Sequence, residues 1–516
     1  MNNTTTKRSI KNVFASLISQ VIILGLSFVL PRLIISNFSS QVNGFFSTVN
    51  QIYSYLEVLR AGVGAAAIHA LYRPIIDKNR NEISKIVSTA REYFQKGGIV
   101  YLTCSFIIAV VLVFVGEPGI PRIEVFLIVI IQGISGWISF SLIGWFVDLL
   151  RAEGKNYVFI VFQMSAKILT QALEVVLIIT TKSPLLVKSA TLLLSFLQLM
   201  FFVLYRKRFY RDYDFKGETD NSLLKDRKSY LVFHISSLVC TNTDIVVLSI
   251  FCGYQIASVY SIYYLIVSGV NMIANAVYSG TSFVLGHSYQ KNLELFSRTH
   301  DLYNFAYTSL VTSLFSVCYI LMLPFVKLYT NGIADVEYVY DYLPVFFCVI
   351  QILTCSKNVG DITNNLGGCA NKVSWRAIVE ALINIVVSVV SVLYLGIYGV
   401  LIGTITALLY RSVDDIIFSN KNVLHRKPSK DFYVFITNIL LFGVIVLAKS
   451  RINIEVSSYF QFLMYAVITS IIVFSFVFLV NGLLNARETK ELFVLIKKKI
   501  SIWKDESNSS QSPRET

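Results

Sequence analysis

The chain has 516 residues, of which 55% are hydrophobic and only 15% are charged. Soluble domains carry about 25% charged residues, so this composition excludes a protein that folds with its whole surface in water. The net charge is +14, but the basic residues are spread over short connections between apolar stretches, which argues against nucleic acid as a partner and favours anionic membrane lipids.

Fourteen apolar stretches are long enough to cross a membrane as helices, which takes about 20 mostly apolar residues each. Their approximate bounds are 12–36, 44–72, 97–116, 122–150, 157–181, 184–205, 229–252, 255–283, 301–326, 342–366, 374–394, 397–418, 431–448 and 458–482. The predicted fold class is therefore an all-α integral membrane protein with about 14 transmembrane helices. We expect two six-helix lobes followed by two C-terminal helices.

The connections between these stretches alternate in basic content. The sixth connection, residues 206–228, carries eight Lys and Arg, whereas the first, residues 36–43, carries none. Basic connections face the cytoplasm in most membrane proteins. We therefore expect a multi-pass protein of a bacterial cytoplasmic membrane, with both termini in the cytoplasm.

The longest basic connection divides the chain into domains. We predict an N-terminal lobe over 1–205, a cytoplasmic linker over 206–228, a C-terminal lobe over 229–418 and two extra membrane helices over 431–482. Residues 484–516 are predicted to form a cytoplasmic amphipathic helix and a tail. The two lobes look weakly alike, as in transporters built from repeats; chance similarity among apolar helices is the alternative.

Charged side chains inside the predicted helices are the candidate functional residues, because each costs roughly 2.5–3.5 kcal/mol at mid-membrane. Arginine and lysine can bind a phosphate, and amides can bind sugar hydroxyls. The candidates for substrate binding are Arg32, Arg60, Lys167, Lys357, Asn271 and Asn275. The candidates for ion coupling are Glu57, Glu174, Asp244 and Asp361.

A structural role is the alternative for each of these charges. A cation can pair with a carboxylate on its own helix and stabilise helix packing. The three such pairs are Glu57 with Arg60, Lys167 with Glu174, and Lys357 with Asp361. Arg32 and Arg411 lie near helix ends, where a long side chain can also reach the membrane surface.

Metal and nucleotide chemistry have no support in the sequence. The seven Cys are scattered singly, and no cluster of Cys and His has the spacing of a zinc site. No GxxxxGK[ST] motif occurs, so we do not expect transport driven by ATP. We expect no metal and no cofactor, with Na⁺ or H⁺ as the candidate coupling ion.

Four loose motifs carry a family resemblance. They are Pro31-Arg32-Leu33 followed by Val42-Asn43-Gly44-Phe45-Phe46, Gly62-Val63-Gly64-Ala65 through Leu71-Tyr72-Arg73-Pro74, Arg151-Ala-Glu-Gly-Lys155, and Asn364 through Lys372. With the span count, they resemble the polysaccharide-flippase (Wzx-like) branch of the multidrug/oligosaccharidyl-lipid/polysaccharide (MOP) exporter superfamily. Drug-exporting relatives commonly carry an acidic residue in the first helix, and residues 13–35 contain none.

The resemblance implies a flippase with a central cavity between two lobes. Its cargo would be an undecaprenyl-pyrophosphate-linked oligosaccharide repeat unit, moved from the cytoplasmic to the outer leaflet for surface polysaccharide (exopolysaccharide) biosynthesis. A cationic central cavity and alternating access would accomplish this without making or breaking a bond, so we expect no enzymatic activity. The alternative is an ion-coupled multidrug/cation antiporter of the same superfamily.

The expected partners follow from this function. They are the lipid-linked oligosaccharide, anionic membrane lipids, and a polysaccharide polymerase and glycosyltransferases that act on the same polymer. We expect the protein itself to be a monomer. A membrane polymerase or ligase is disfavoured because such enzymes need a large external loop, and the longest external connection here is about 327–341.

Overall fold

The structure of the chain, a computed structural model, describes residues 22–215, 217–220, 243–452 and 454–494. Within these ranges all regular secondary structure is helical, which confirms the predicted all-α class. The predicted tail over 484–516, the linker over 206–228 and the spans 12–36 and 229–252 lie partly outside the described residues.

The helices are numbered in chain order. They are α1 Ile22–Asn37, α2 Ser40–Leu56, α3 Val58–Ile76, α4 Arg80–Phe114, α5 Arg122–Trp137, α6 Gly144–Ala152, α7 Asn156–Thr181, α8 Pro184–Phe209, α9 243–251, α10 Gly253–Lys291, α11 Leu293–Tyr329, α12 Leu343–Leu366, α13 Ala370–Leu395, α14 Ile397–Asn422, α15 Ser429–Lys449, α16 Tyr459–Leu484 and α17 486–494. A π-helical turn, Ile138–Ile143, joins α5 to α6.

Each predicted span coincides with a helix or with its described part. Ten of the described helical segments, with α5, the π-helical turn and α6 counted as one, are long and apolar enough to cross a membrane. The second predicted span is covered by α2 and α3, which are separated by a break at Glu57. The third begins earlier than predicted, because α4 starts at Arg80 and continues from the basic connection into the apolar stretch.

The chain folds into two compact units. The first unit comprises the described residues of Met1–Leu265, Tyr329–Tyr338 and Ser374–Thr404. The second comprises those of Ile266–Leu328, Val339–Val373 and Ile405–Thr516. The predicted division into lobes at 206–228 stays a prediction.

The first unit is held together by aromatic and aliphatic side chains from α1 to α8. Phe45, Phe94, Ile128 and Phe146 are fully or almost fully buried in one core. Helix α4 packs on α3 and α5, and α8 packs on α5 and α7. Polar groups inside this core are hydrogen-bonded, as where the Tyr53 hydroxyl donates to the Val129 carbonyl oxygen at 2.7 Å.

Small residues allow helices of the first unit to approach closely. Gly399 and Gly403 on α14 lie against the backbone of Ser391 and Ser388 on α13, at 2.3 and 2.6 Å from the position that a Cβ would take. The GxxxG sequence therefore serves helix packing, as this pattern does in other membrane proteins.

In the second unit, α15 and α16 pack through Leu441, Ile445, Val473 and Val477. Hydrogen bonds between buried amides support this apolar contact. The Asn481 amide donates to the Asn438 side-chain oxygen at 3.1 Å. Inside a membrane such a bond is valuable because no water is present to replace it.

Gly44 gives a test of the packing in the first unit. A Cβ at Gly44 would lie 1.7 Å from the Tyr254 carbonyl oxygen, so Gly44→Ala forces α2 away from the start of α10. We expect a loss of roughly 1–3 kcal/mol of stability, seen as a lower Tm of the purified protein. Gly25→Ala is the matched control, because no atom lies within 4 Å of its added Cβ. Equal Tm values for the two variants would contradict this contact.

Candidate functional site

A cavity of about 580 Å³ lies within the first unit. Its walls come from α1, α2, α5 with the π-helical turn, α7 and α8, and more than half of the lining side chains are polar. Three are charged: Lys167, Glu174 and Lys188. Polar and charged groups inside apolar helices are unfavourable in lipid, so their convergence on one cavity indicates that it holds water or a polar ligand.

Helix α7 presents one polar face to this cavity. Residues spaced three or four apart lie on one side of a helix. On α7 these are Gln163, Lys167, Thr170, Gln171 and Glu174. The Gln171 amide also donates to the Ser27 hydroxyl on α1 at 3.2 Å, which holds α7 against α1. The candidates Lys167 and Glu174 are thus brought together, with Gln171, in one cavity.

Lys188 is a candidate that the sequence analysis missed. It lies in the second turn of α8, is only 6% exposed, and its Nζ is 3.5 Å from the Asn50 side-chain oxygen. The same Nζ lies 4.6 Å from the centre of the Phe46 ring, within cation–π distance. A lysine so close to a helix end is usually assumed to extend to the membrane surface. The sequence does contain a signal that could have identified Lys188. It is a polar stripe on α8 that consists of Lys188, Thr191, Ser195 and Gln198.

The charges make the cavity positive. The Glu174 carboxylate is attracted by Lys188, and no ion pair joins it to Lys167 among the described residues. Lys167 is exposed to the cavity and forms no hydrogen bond or ion pair with any residue that the structure describes. Two cations therefore face one carboxylate, and one cation stays available to a ligand.

Two predicted substrate-binding arginines lie outside the cavity lining. Arg60 forms an ion pair with Asp148 on α6 at 3.1 Å, and the Asp148 side chain is 2% exposed. This ion pair joins α3 to α6. The sequence analysis did not predict Asp148 as the partner of Arg60. Glu57, at the break between α2 and α3, is exposed and lies near enough to Arg60 for attraction. Arg32 donates to the Asn331 carbonyl oxygen at 2.5 Å.

Asp244, a predicted ion-coupling residue, has a different environment. It is buried in α9, where the Tyr260 hydroxyl donates to it at 2.8 Å and the Thr404 hydroxyl lies 3.0 Å from both carboxylate oxygens. The Asn384 amide donates to the Thr404 hydroxyl at 2.9 Å, and its buried side-chain oxygen has no partner among the described atoms. In the described part of the chain, no Lys or Arg pairs with Asp244. The described hydrogen-bond partners of this carboxylate are hydroxyl oxygens, and oxygen is the ligand that hard cations prefer.

The second unit contains the other predicted charges. The Arg411 guanidinium lies 2.9 Å from both the Asp361 and the Asp415 carboxylates, and its side chain is 3% exposed. Arg411 therefore does not extend to the membrane surface. The sequence analysis allowed that alternative, and for Arg411 it is wrong. The Asn364 amide donates to Asp415 at 3.2 Å. Lys357 lies near enough to Asp415 for attraction, so this is a network of buried, mutually compensated charges.

The two predicted amides are on α10 in the second unit. The Asn271 side-chain oxygen is 3.6 Å from the Cys355 thiol, which is a weak donor. Asn275 is exposed. These positions leave their predicted role in sugar binding untested.

One cluster in the second unit has the composition of a metal site. His300, Asp301 and Asp431 offer ligand atoms within 4.8 Å of one another. However, Arg426 lies 2.6 Å from Asp301 and 3.0 Å from Asp431, and Lys430 lies 2.7 Å from Asp301. Because basic side chains already neutralise both carboxylates, the cluster is a salt-bridge network that joins α11 to α15.

Comparison with known proteins identifies the fold. No family model and no curated protein matches the chain. Among solved structures, the lipid II flippase MurJ in an inward closed conformation matches with a TM-score of 0.64 at 14% identity, over 92% of this chain and 99% of that one. An inward-facing multidrug resistance MATE family transporter of the MOP superfamily matches with a TM-score of 0.61 at 17% identity, over 79% and 98%. The MATE multidrug transporter DinF-BH matches with a TM-score of 0.58 at 13% identity, over 80% and 95%.

These matches extend over nearly the whole length of each solved structure. The sequence identities are low, so the similarity concerns the fold and leaves the cargo open. The predicted fold is confirmed, and the Wzx-like branch is not tested by these structures. This chain is a multi-pass membrane protein with the fold of the MOP superfamily transporters.

Proposed function

We propose that the protein is a flippase that moves an undecaprenyl-pyrophosphate-linked oligosaccharide from the cytoplasmic to the outer leaflet, for surface polysaccharide biosynthesis. The observation that carries this proposal is the polar, positively charged cavity of the first unit, in which Lys167 has no described partner. One solved structure with this fold is a lipid II flippase, and others are multidrug transporters.

The chemistry of the cavity fits the head group of such a cargo. The lipid tail can remain in the membrane, whereas the pyrophosphate and the sugars need a polar path. Lys167 and Lys188 can form charge-assisted hydrogen bonds with phosphate oxygens. The amides and hydroxyls on α7 and α8 can donate to and accept from sugar hydroxyls. A carrier for cationic drugs needs an uncompensated acidic site, and the carboxylate of Glu174 in this cavity is balanced by Lys188.

We further propose that the carboxylate of Asp244 binds the coupling ion, either Na⁺ or H⁺. Its carboxylate, the Thr404 hydroxyl and the Asn384 side-chain oxygen form a buried group of oxygen atoms. A cation there would neutralise a charge that is unfavourable in lipid. The membrane potential contributes about 2.3 kcal/mol per charge per 100 mV, which can bias a carrier.

The cellular setting belongs to the same proposal. The protein would work as a monomer in a bacterial cytoplasmic membrane, with both termini in the cytoplasm. Glycosyltransferases would supply its cargo on the inner leaflet, and a polymerase would consume it on the outer one.

The two cavity lysines test the cargo. Lys167→Gln and Lys188→Gln should each reduce flipping roughly tenfold or more, because each removes a charge-assisted hydrogen bond of about 1.5–3 kcal/mol. The measurement is the amount of lipid-linked oligosaccharide accessible on each leaflet in cells that depend on this protein, at matched protein levels. Lys182→Gln is the control, because Lys182 is exposed between α7 and α8 and does not line the cavity.

Normal flipping by both cavity variants would refute the proposed path. Ion-dependent efflux of a cationic dye that is lost in Glu174→Gln, with unaltered flipping, would support the multidrug antiporter instead.

The Asp244 site yields a separate prediction about the ion. A ligand that binds the folded state stabilises it by RT ln(1 + [L]/Kd). If Na⁺ is the ion, adding NaCl in place of KCl should raise the Tm of the wild type and of Thr103→Val, but not of Asp244→Asn or Thr404→Val. The Thr103 hydroxyl bonds only within its own helix, which makes it the matched control.

If the ion is H⁺, the Tm of the wild type should change with pH instead, and Asp244→Asn should remove that change. Identical responses of the wild type and Asp244→Asn to both Na⁺ and pH would exclude Asp244 as the coupling site.

A further inference from the structure

The first unit has a second cavity, of about 370 Å³, which is lined by α4, the end of α8 and the segment that follows α8. Four basic side chains line it: Arg91, Arg206, Lys207 and Arg211. Asp214 is the single carboxylate in the lining, so the cations are in clear excess. The cavity is therefore suited to an anion.

Two of these arginines are held in place by one buried ring. The guanidinium carbons of Arg91 and Arg206 lie 5.5 and 5.7 Å from the centre of the Trp145 ring, which is 4% exposed. Arg91 also donates to the Phe215 carbonyl oxygen at 3.1 Å. The two guanidinium groups are close enough to repel each other. An anion bound in the cavity that both side chains line would relieve that repulsion.

Two nearby basic residues outside the lining have acidic partners. Arg80 lies 3.0 Å from Asp212, and Lys85 lies 3.8 Å from Glu218. By contrast, none of the four cations in the lining forms an ion pair with a carboxylate in the described part of the chain. Positive charge concentrated in this way, rather than compensated, distinguishes a binding site from a structural ion-pair network.

Aromatic side chains place the cavity at the depth of lipid head groups. Tyr205, Tyr210 and Tyr213 form a chain of ring contacts at the end of α8, and Phe209 is 59% exposed beside them. Such aromatic belts mark the boundary between lipid and water. The Tyr210 hydroxyl donates to Glu153, and burial together with this bond raises the pKa of Tyr210 well above its usual value. Tyr210 therefore stays neutral and adds no negative charge to the wall.

We propose that this cavity binds the phosphate group of an anionic lipid head group, in the leaflet that the basic connections face. Arg91 and Arg206 would hold the phosphate, and Lys207 and Arg211 would neutralise it from the solvent side. The exposed rings and aliphatic side chains at the end of α8 would contact the glycerol and the first carbons of the lipid. This site is separate from the polar cavity and does not depend on the identity of the cargo.

The experiment compares two double variants of equal charge change in the full-length purified protein. Arg206→Gln/Arg211→Gln removes two cations from the lining, and Arg73→Gln/Arg208→Gln removes two arginines that do not line the cavity. Binding is measured by the rise in Tm on titration with phosphatidylglycerol, with phosphatidylethanolamine as the zwitterionic lipid. A third titration uses inorganic phosphate.

We expect phosphatidylglycerol to stabilise the wild type and the control variant, with binding weakened about tenfold or more in the lining variant, since each cation near a lipid surface contributes substantially. Phosphatidylethanolamine and inorganic phosphate should have little effect. Stabilisation by inorganic phosphate that is lost only in the lining variant would support a phosphate site but overturn its assignment to lipid.

Equal weakening in both double variants would overturn the site, because it would show only general attraction to charged lipid. If the lining variant does not fold, Lys207→Gln provides the same comparison, because Lys207 is exposed and has no described ion pair. Unchanged phosphatidylglycerol binding in Lys207→Gln would then overturn the proposal.

Discussion

An ionised side chain in lipid has an unfavourable free energy, and this constraint determines how the charged side chains of this molecule are arranged. Arg60 is paired with Asp148, and Arg411 is paired with Asp361 and Asp415, so these charges stabilise the contacts between helices. Lys167 and Asp244 form no such ion pair in the described part of the chain: Lys167 faces a polar cavity, and Asp244 accepts hydrogen bonds from hydroxyls. A charge that has no described partner of opposite sign can be neutralised by a bound ligand or ion.

The same constraint explains why the helices could be predicted from the sequence. In lipid every backbone N–H and C=O must be hydrogen-bonded within the segment, so an apolar run of sufficient length becomes a helix. The ends of the helices were harder to predict from the sequence. Helix α4 extends back to Arg80 through a charged segment, and α2 and α3 separate at Glu57 within one apolar stretch. The π-helical turn at Ile138–Ile143 has no distinguishing composition, since it depends on how α4 and α8 pack around it.

The residues of the site could be predicted only where they lie on one face of a single helix. The spacing of Lys167 and Glu174 along α7 was enough to place both on one face, and the structure brings both to the cavity. Contacts between helices could not be read in this way. Glu174 is attracted by Lys188 on α8, and Arg60 forms an ion pair with Asp148 on α6, although spacing along the sequence suggested partners on the same helix.

The proposed coupling ion would also have to supply enough free energy to move the carrier between its states. An ion shifts a conformational equilibrium only by the difference between its affinities for the two states. A change from 1:99 to 99:1 requires roughly 5.5 kcal/mol, whereas one charge crossing a potential of 100 mV contributes about 2.3 kcal/mol. In the proposed function, a single ion at Asp244 would supply less than half of this from such a potential alone. The remainder would have to come from the concentration gradient of the ion or from the removal of cargo on the outer side, which would link transport to the step that consumes the cargo.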